Sequence, residues 1–288
     1  MCTAEIFAKI ISNDHDYALR VTPLIIVQCT TITIKIALPI GLKKLELAIE
    51  SGDVEATKRI VDNFPSGDLI NRQNATDGHS VLTRAIDKNN AEIVEVLLGV
   101  GDIKVDKKHG ERGTPLEFAI AKNSVDIVAK LLNDGASGDT KALSWAISKG
   151  HKEIVEELVR SSGVDLSQSD AATGYTPLTG AAKSGRTDIV EVLLSHDDAG
   201  NIINSSDSNN KTPLLVAVEE AQVDVVKQLV NREDIVVNKA IGEGPTALEL
   251  AKEKQKQEEM FETESNEYAE IVHVLEKAST VIRYSIDT

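Results

Sequence analysis

Residues 113–132 read GTPLEFAIAKNSVDIVAKLL, and this order of small and apolar residues recurs with variations further along the chain. The stretch GYTPLTGAAKSGRTDIVEVLL begins at Gly174, and KTPLLVAVEEAQVDVVKQLV begins at Lys211. Three versions of one pattern at a nearly constant spacing indicate a chain built from internal repeats.

One alanine marks the same position in every repeat, with spacings of 27 to 37 residues. These alanines are Ala48, Ala85, Ala119, Ala146, Ala181, Ala217 and Ala251. Six of them are followed seven residues later by an acid, and the last unit delays its acid to Glu270. The pattern predicts seven units, near 42–75, 76–110, 111–139, 140–171, 172–207, 208–241 and 242–278.

Each unit carries the signals of two antiparallel helices. In pairs such as Thr176-Pro177, the threonine suits a helix N-cap and the proline suits the first helical turn. A glycine or asparagine follows four residues after most of the alanines and predicts a left-handed end to the first helix. The sixth unit has Ala221 there instead, so its turn is either built differently or strained. The acid then lies in the first turn of the second helix, where it favours the positive end of the helix dipole.

The period near 33, the T-P-L-x-x-A opening and the E/D-I-V-x-x-L-L second helix resemble the ankyrin repeat. The resemblance covers about residues 42–278 and implies an all-α ankyrin-repeat solenoid of about seven helix-turn-helix units with short connecting turns. The chain departs from the family in lacking the histidine after T-P-L. The 27-residue spacing before Ala146 leaves little room for a projecting turn near Ser137 to Lys141. The last unit carries an insertion within KEKQKQEEMFETESNEY, which predicts a longer helix or a charged loop.

Composition limits the classes of function. The net charge of −15 disfavours nucleic acid and anionic membranes as partners. The six histidines and two cysteines have no metal-ligand spacing, and no phosphate loop or nucleophile motif is present. We therefore expect no enzyme activity and no cofactor. Cys2 and Cys29 are the only cysteines, which predicts a reducing compartment: the cytoplasm, with the nucleus as the alternative.

The two ends of the chain lie outside the repeats. Residues 1–41 form an N-terminal extension with an apolar, strand-like stretch at 24–38. Pro23, Pro39 and Lys35 argue against a membrane span there, and the pattern predicts no function for it. Residues 279–288 are expected to be a C-terminal tail.

The resemblance implies a non-enzymatic protein-protein interaction module, an adaptor that binds another protein on the concave face of the solenoid. We expect it to be a monomer. The alternative is a regulatory ankyrin segment of a larger multidomain receptor, channel or enzyme.

The concave face of such units includes the residues just after the repeat alanine and its successor. Four consecutive units place a lysine there, and neighbouring turns add more basic groups. The predicted partner-binding residues are Lys88, Lys122, Lys149, Lys183, Lys107, Lys108, Arg112 and Tyr175. The lysines predict a groove for an acidic or phosphorylated segment. The alternative is that lysine stands there only as a good exposed helix former. Tyr175, at a predicted turn tip, is either an anchor for a partner or a surface residue with no role.

Overall fold

Short helices in antiparallel pairs make up most of the residues that the structure, a computed structural model, describes. These residues are 41–63, 70–74, 78–108, 113–161, 163–196, 199–240, 244–260 and 266–286. The apolar stretch at 24–38 and the predicted binding residue Arg112 lie outside the described residues, so these two predictions are not addressed by the structure.

The helices alternate between the first and second positions of successive units. In chain order they are α1 (41–51), α2 (Val54–Asn63), α3 (Val81–Asp87), α4 (Ala91–Leu98), α5 (Pro115–Ala121), α6 (Val125–Asn133), α7 (Thr140–Lys149), α8 (Lys152–Ser161), α9 (Pro177–Lys183), α10 (Thr187–Leu194), α11 (Ala199–Ile202), α12 (Pro213–Glu219), α13 (Val223–Val230), α14 (Ala247–Met260) and α15 (Glu267–Ile286). Units 1 to 5 are the pairs from α1–α2 to α9–α10, unit 6 is α12–α13 and unit 7 is α14–α15. The short helix α11 lies between units 5 and 6.

Two layers of helices result from this alternation. The first helices pack side by side in the order α3, α5, α7, α9, α12 and α14, and the second helices form a parallel layer from α2 to α15. The repeat alanines lie between the layers: Ala85, Ala119, Ala146, Ala181 and Ala217 have no exposed surface. A larger side chain at these positions would overpack the seam between neighbouring helices.

The ends of the helices follow the chemistry that the sequence indicates. Thr114, Thr176 and Thr212 cap α5, α9 and α12 by accepting a hydrogen bond from a backbone N–H in the first turn. The first helices end at a residue with a positive φ, as predicted. These residues are Gly52, Asn89, Asn123, Gly150 and Gly185, with φ between 54° and 72°. Ala221 has a φ of 55°, so unit 6 uses the same turn with a residue that is strained in it.

Asparagine side chains join the connecting segments of successive units. The Nδ2 of Asn204 donates to the carbonyl oxygen of Asp234 at 2.7 Å, and its Oδ1 accepts from the backbone N–H of Val236 at 2.8 Å. Asn71 makes the equivalent two bonds near the start of the repeats. Its Nδ2 donates to the carbonyl oxygen of Asp102, and its Oδ1 accepts from the backbone N–H of Lys104. Each asparagine thus satisfies backbone groups of the next connection, which would otherwise need water.

Hairpin turns precede the first helices of units 5 and 6. In unit 5 the backbone N–H of Asp170 donates to the carbonyl of Tyr175 at 2.9 Å, and the unit-6 hairpin joins it through the Ser208 N–H and the Gly174 carbonyl at 2.9 Å. Unit 4 has no hairpin, because α6 ends at Asn133 and α7 begins at Thr140. The short spacing before Ala146 therefore predicted this departure correctly.

Unit 7 differs from the others in the length of its helices. Its first helix, α14, has 14 residues where α9 and α12 have seven, so the insertion lengthens the helix. The second helix, α15, continues to Ile286, eight residues past the predicted end of the repeats at 278. Tyr268 of α15 is buried, and its hydroxyl donates to the carbonyl oxygen of Glu219 at 3.0 Å. This bond ties the last unit to unit 6.

Candidate protein-binding face

The four predicted helix lysines lie at the C-terminal ends of the first helices: Lys88, Lys122 and Lys149 three residues after the repeat alanine, and Lys183 two residues after it. Lys88 and Lys122 are the C-caps of α3 and α5, and Lys149 and Lys183 are the last residues of α7 and α9. All four are exposed. A cation at the C-terminal end of a helix is favourable to the helix dipole, so this placement also has a structural reason.

Two of these lysines form ion pairs between units. The Nζ of Lys122 lies 2.7 Å from the Oδ1 of Asp87, and the Nζ of Lys183 lies 2.6 Å from the Oε1 of Glu220. The hydrogen bond from Lys122 lowers the pKa of Asp87, and the bond to Glu220 raises the pKa of Lys183. Both pairs are well exposed, and exposed pairs of this kind contribute about 0–1 kcal/mol to stability.

The other two helix lysines have no such pair. Among the residues that the structure describes, no carboxylate lies within ion-pair distance of Lys88 or Lys149. Along the row, Lys122 pairs with an acid of the preceding unit and Lys183 with an acid of the following unit, while Lys88 and Lys149 are open to solvent.

The connection between units 2 and 3 contains two more predicted residues. Lys107 is half-buried, and its Nζ donates to the backbone carbonyl of Asn71 at 2.7 Å. Lys239 makes the equivalent bond to the carbonyl of Asn204 at 2.7 Å, so this lysine belongs to the joint between units. Lys108 is exposed, and its carbonyl oxygen accepts from Gln73 at 3.1 Å. The structure gives Lys107 a hydrogen bond between units that its position in the sequence did not reveal.

Tyr175 does not stand free at the tip of its hairpin. It is half-buried, and the Nζ of Lys183 lies 5.2 Å from the centre of its ring. The ring borders a groove of about 240 Å³ between units 4 and 5. Six of the lining residues are Ser144, Ile147, Ser148, Tyr175, Pro177 and Gly180. Tyr175 is predictable from the sequence as a candidate binding residue, whereas the groove becomes visible only in the structure.

Gly180 was the signal for this groove in the sequence. It stands immediately before Ala181, in a slot where the other units have large side chains. Those residues are Leu47, Arg84, Phe118, Trp145, Val216 and Leu250. A glycine in this slot leaves empty the volume that a side chain fills in every other unit.

The second helices carry acidic groups on the opposite layer. Glu95 and Glu156 are exposed, and each lies near a lysine: Lys130 at 2.5 Å and Lys152 at 3.6 Å. Glu157, which the pattern would also place on the surface, is buried and accepts a hydrogen bond from Ser161 at 2.9 Å.

We find no group of three or more histidine, cysteine, aspartate or glutamate side chains with metal-binding geometry in the described ranges. Within the same ranges no helix is long and apolar enough to cross a membrane.

Comparison with protein families agrees with this architecture. A model of ankyrin repeats in three copies matches residues 45–142 and 143–240. The chain belongs to the ankyrin-repeat family. Ankyrin repeats are in general protein-protein interaction modules.

Curated relatives match only part of the chain. It is 30% identical over 150 residues to the ankyrin repeat domain-containing protein SAT10 of Stachybotrys chartarum, covering 48% of this chain and 8% of the relative. It is 30% identical over 165 residues to the E3 ubiquitin-protein ligase KEG of Arabidopsis thaliana, covering 52% and 10%. The chain thus spans about a tenth of the length of these relatives.

Solved structures show the same fold. The ankyrin repeat domain of human ASB11 superposes with a TM-score of 0.58 at 23% identity, over 80% of this chain and 96% of that one. The ankyrin repeat domain of Bcl-3, described as a unique member of the IkappaB protein family, has a TM-score of 0.60 at 23% identity, over 70% and 87%.

Proposed function

We propose that this ankyrin-repeat chain is a non-enzymatic adaptor that binds a partner protein on the concave face formed by its first helices and hairpins. The observation that carries the proposal is the row of exposed lysines at the C-terminal ends of the first helices in four consecutive units, Lys88, Lys122, Lys149 and Lys183. The rest of the chain is strongly acidic, with a net charge of −15. A local row of cations in such a protein favours an acidic or phosphorylated segment as the partner.

The two existing ion pairs are compatible with this partner. Asp87 and Glu220 are themselves well exposed. An incoming carboxylate or phosphate can therefore replace them at Lys122 and Lys183 with only a small loss of ion-pair energy. Lys88 and Lys149 are available without any exchange. We therefore expect the affinity to fall steeply as the salt concentration rises, because exposed charges are screened within about 10 Å at 0.1 M salt.

Charge reversal on the two layers tests the proposal. In the test variant Lys88, Lys122, Lys149 and Lys183 are changed to glutamate. In the matched control the same change is made at four second-helix lysines, Lys58, Lys130, Lys152 and Lys227. Both variants change the net charge equally. After circular dichroism has shown that both are folded, partners are captured from a cell extract over a range of salt concentrations.

We expect the test variant to lose partners that the wild-type chain and the control retain. If both variants retain the same partners equally at every salt concentration, the lysine row is not the binding surface.

We also propose that the chain acts as a monomer in the cytoplasm or nucleus. The location is supported by the small number of cysteines, Cys2 and Cys29. Light scattering after size-exclusion chromatography measures the mass in solution, and microscopy of a tagged chain tests the location.

A second candidate is the role of a regulatory or partner-binding segment within a larger protein. It is favoured by the small share of the curated relatives, 8% and 10% of their lengths, that this chain matches. Sequencing full-length transcripts that contain this chain tests it: an additional domain in the same reading frame would support this role.

A further inference from the structure

The groove at Tyr175 exists because two departures from the repeat fall side by side. The first is the absence of a hairpin in unit 4. Only six residues separate α6 from α7, and Asp139 uses its side chain to cap α7 by accepting from the N–H of Ala142 at 2.9 Å. The hairpin of unit 5 is therefore joined to the hairpin of unit 6 on one side only. On its other side Tyr175 borders a space that has no neighbouring hairpin.

The second departure is Gly180, inside α9. Its backbone φ is not positive, so the conformation does not require glycine. A Cβ added there would lie 3.9 Å from the Cβ of Tyr175 and 4.0 Å from the Cγ2 of Ile147, which are ordinary contact distances. Glycine in a helix interior is less favourable than alanine. Neither the backbone nor the surrounding space explains the glycine, and its effect is to leave the groove open.

The groove has an apolar floor and a basic rim. Ile147, Pro177 and the ring of Tyr175 provide apolar surface, and the hydroxyl of Ser148 donates to its own helix at the carbonyl of Trp145. Lys183 is also among the lining residues. The volume of about 240 Å³ is sufficient for one leucine or phenylalanine side chain.

One lysine, Lys183, lines this apolar surface, and a second, Lys149, follows a lining residue in the chain. Lys183 stands over the Tyr175 ring, and Lys149 is the residue next to Ser148 and is exposed with no carboxylate of the described chain at ion-pair distance. No acid is among the lining residues given for the groove, and Glu220 is held by Lys183 at 2.6 Å. Charge complementarity therefore favours an occupant whose apolar side chain is flanked by carboxylates.

We propose that this groove is an anchor site for a single leucine or phenylalanine side chain of an extended acidic segment in a partner protein. The inference rests on the proposed function, since it specifies which part of the lysine-bearing face holds the partner and by which chemistry. A buried apolar anchor surrounded by polar contacts is the usual form of an energetic hot spot in an interface.

A defined peptide series tests the proposal without a known partner. Fluorescently labelled ten-residue peptides carry leucine, phenylalanine or serine at the centre, flanked by either Asp and Glu or Lys and Arg. Fluorescence anisotropy measures their binding to the full chain and to two variants. Gly180→Leu fills the groove. Gly101→Leu is the matched control, because Gly101 has no positive φ and nothing within 4 Å of an added Cβ.

We expect the acidic peptides with leucine or phenylalanine to bind the wild-type chain at least about tenfold, or about 1.4 kcal/mol, more tightly than the serine or basic peptides, because they alone combine an apolar anchor for the groove with acidic flanks. Gly180→Leu should remove this preference, and Gly101→Leu should retain it. If Gly180→Leu is unfolded by circular dichroism, Ser148→Phe, at an exposed position, blocks the groove from the side of α7.

Two results overturn the inference. One is that the wild-type chain binds the leucine and serine peptides equally. The other is that a folded groove-filling variant binds like the wild type. Either result leaves the proposed function standing if charge reversal at the four lysines still abolishes capture of the partner, so the two failures are distinguishable.

Discussion

The guanidinium group of Arg186 lies directly over Gly150, the left-handed residue that ends the first helix of the preceding unit. A Cβ added to Gly150 would come within 2.6 Å of its Nη2. Related contacts join other helix–helix turns: the hydroxyl of Ser124 donates to the Oδ1 of Asn89 at 2.5 Å. In both cases the residue that follows the left-handed position of one unit contacts the left-handed residue of the preceding unit. The helix–helix turns of successive units are thus in direct contact.

We expect Gly150→Ala to lower the free energy of unfolding by about 1–2 kcal/mol, the cost of an L-residue in the left-handed region. Gly150 has a φ of 72°. The contact with Arg186 should add little, because this long exposed side chain can move away. Urea unfolding, followed by the fluorescence of the single tryptophan, Trp145, measures the change. The same loss in an Arg186→Ala background confirms the backbone origin, and a loss that disappears there contradicts it.

Ala221→Gly is the converse experiment in unit 6. Ala221 has a φ of 55°, so glycine relieves strain there, while it also adds conformational freedom to the unfolded chain. We expect a change between neutral and about 1 kcal/mol more stable. Thermal unfolding checks it. A clear loss of stability would mean that the turn in solution is not left-handed.

Gly180→Ala should stabilise the protein by about 0.5–1 kcal/mol, because alanine is a better helix former and the groove accommodates one methyl group. The nearest atoms to an added Cβ lie at 3.9 and 4.0 Å. Differential scanning calorimetry of Gly180→Ala and the wild-type chain measures the effect. A lower melting temperature would show that the space at Gly180 is smaller than the structure indicates.

Asn204→Ala removes the two hydrogen bonds to Asp234 and Val236 and leaves the backbone groups of the next connection without their protein partner. We expect a loss of about 1–3 kcal/mol, at 0.5–1.5 kcal/mol for each bond. Asn201→Ala is the control, since Asn201 is exposed in the neighbouring helix α11. Equal melting temperatures for the two variants would show that Asn204 does not hold the units together.

His151 makes stability depend on pH. Burial, together with the charges of Lys149 and Arg186, lowers its pKa below the ordinary value, and Glu153 opposes this in part. The unfolded chain therefore takes up the proton first. The stability that neutral His151 contributes to the folded chain is fully present above the unfolded pKa of about 6.5. It is lost as the pH falls through the folded pKa. His151→Gln should flatten the decline in melting temperature between about pH 7 and pH 5. Parallel declines for the two proteins would contradict this role.

The repeat alanines, helix caps and left-handed turns were predictable because each has a local cause. Thr176 accepts a hydrogen bond three residues along the chain, and Asn123 adopts its conformation within its own turn. Signals of this kind are contained in a few consecutive residues. The short spacing before Ala146 likewise sufficed to predict that unit 4 has no hairpin.

The contacts between units were not predictable in the same way, because they join residues more than 30 positions apart. The bond from Lys107 to Asn71 and the pair of Lys183 with Glu220 depend on side-chain conformations that no local pattern encodes. The groove at Tyr175 needs both the missing hairpin and Gly180. Each was visible in the sequence, but only the structure brings them together.

The missing hairpin of unit 4 shows that the packing of a first helix and the hairpin before it are separate features of this architecture. Helix α7 packs between α5 and α9 as the other first helices do, although the segment from Asn133 to Thr140 contains only a tight connection. The packing of α7 between its neighbours therefore does not require a hairpin before it. For protein engineering, the segment 134–139 is therefore a suitable place to insert a foreign loop. The loop would be displayed beside the groove, and α6 and α7 would hold its two ends in place.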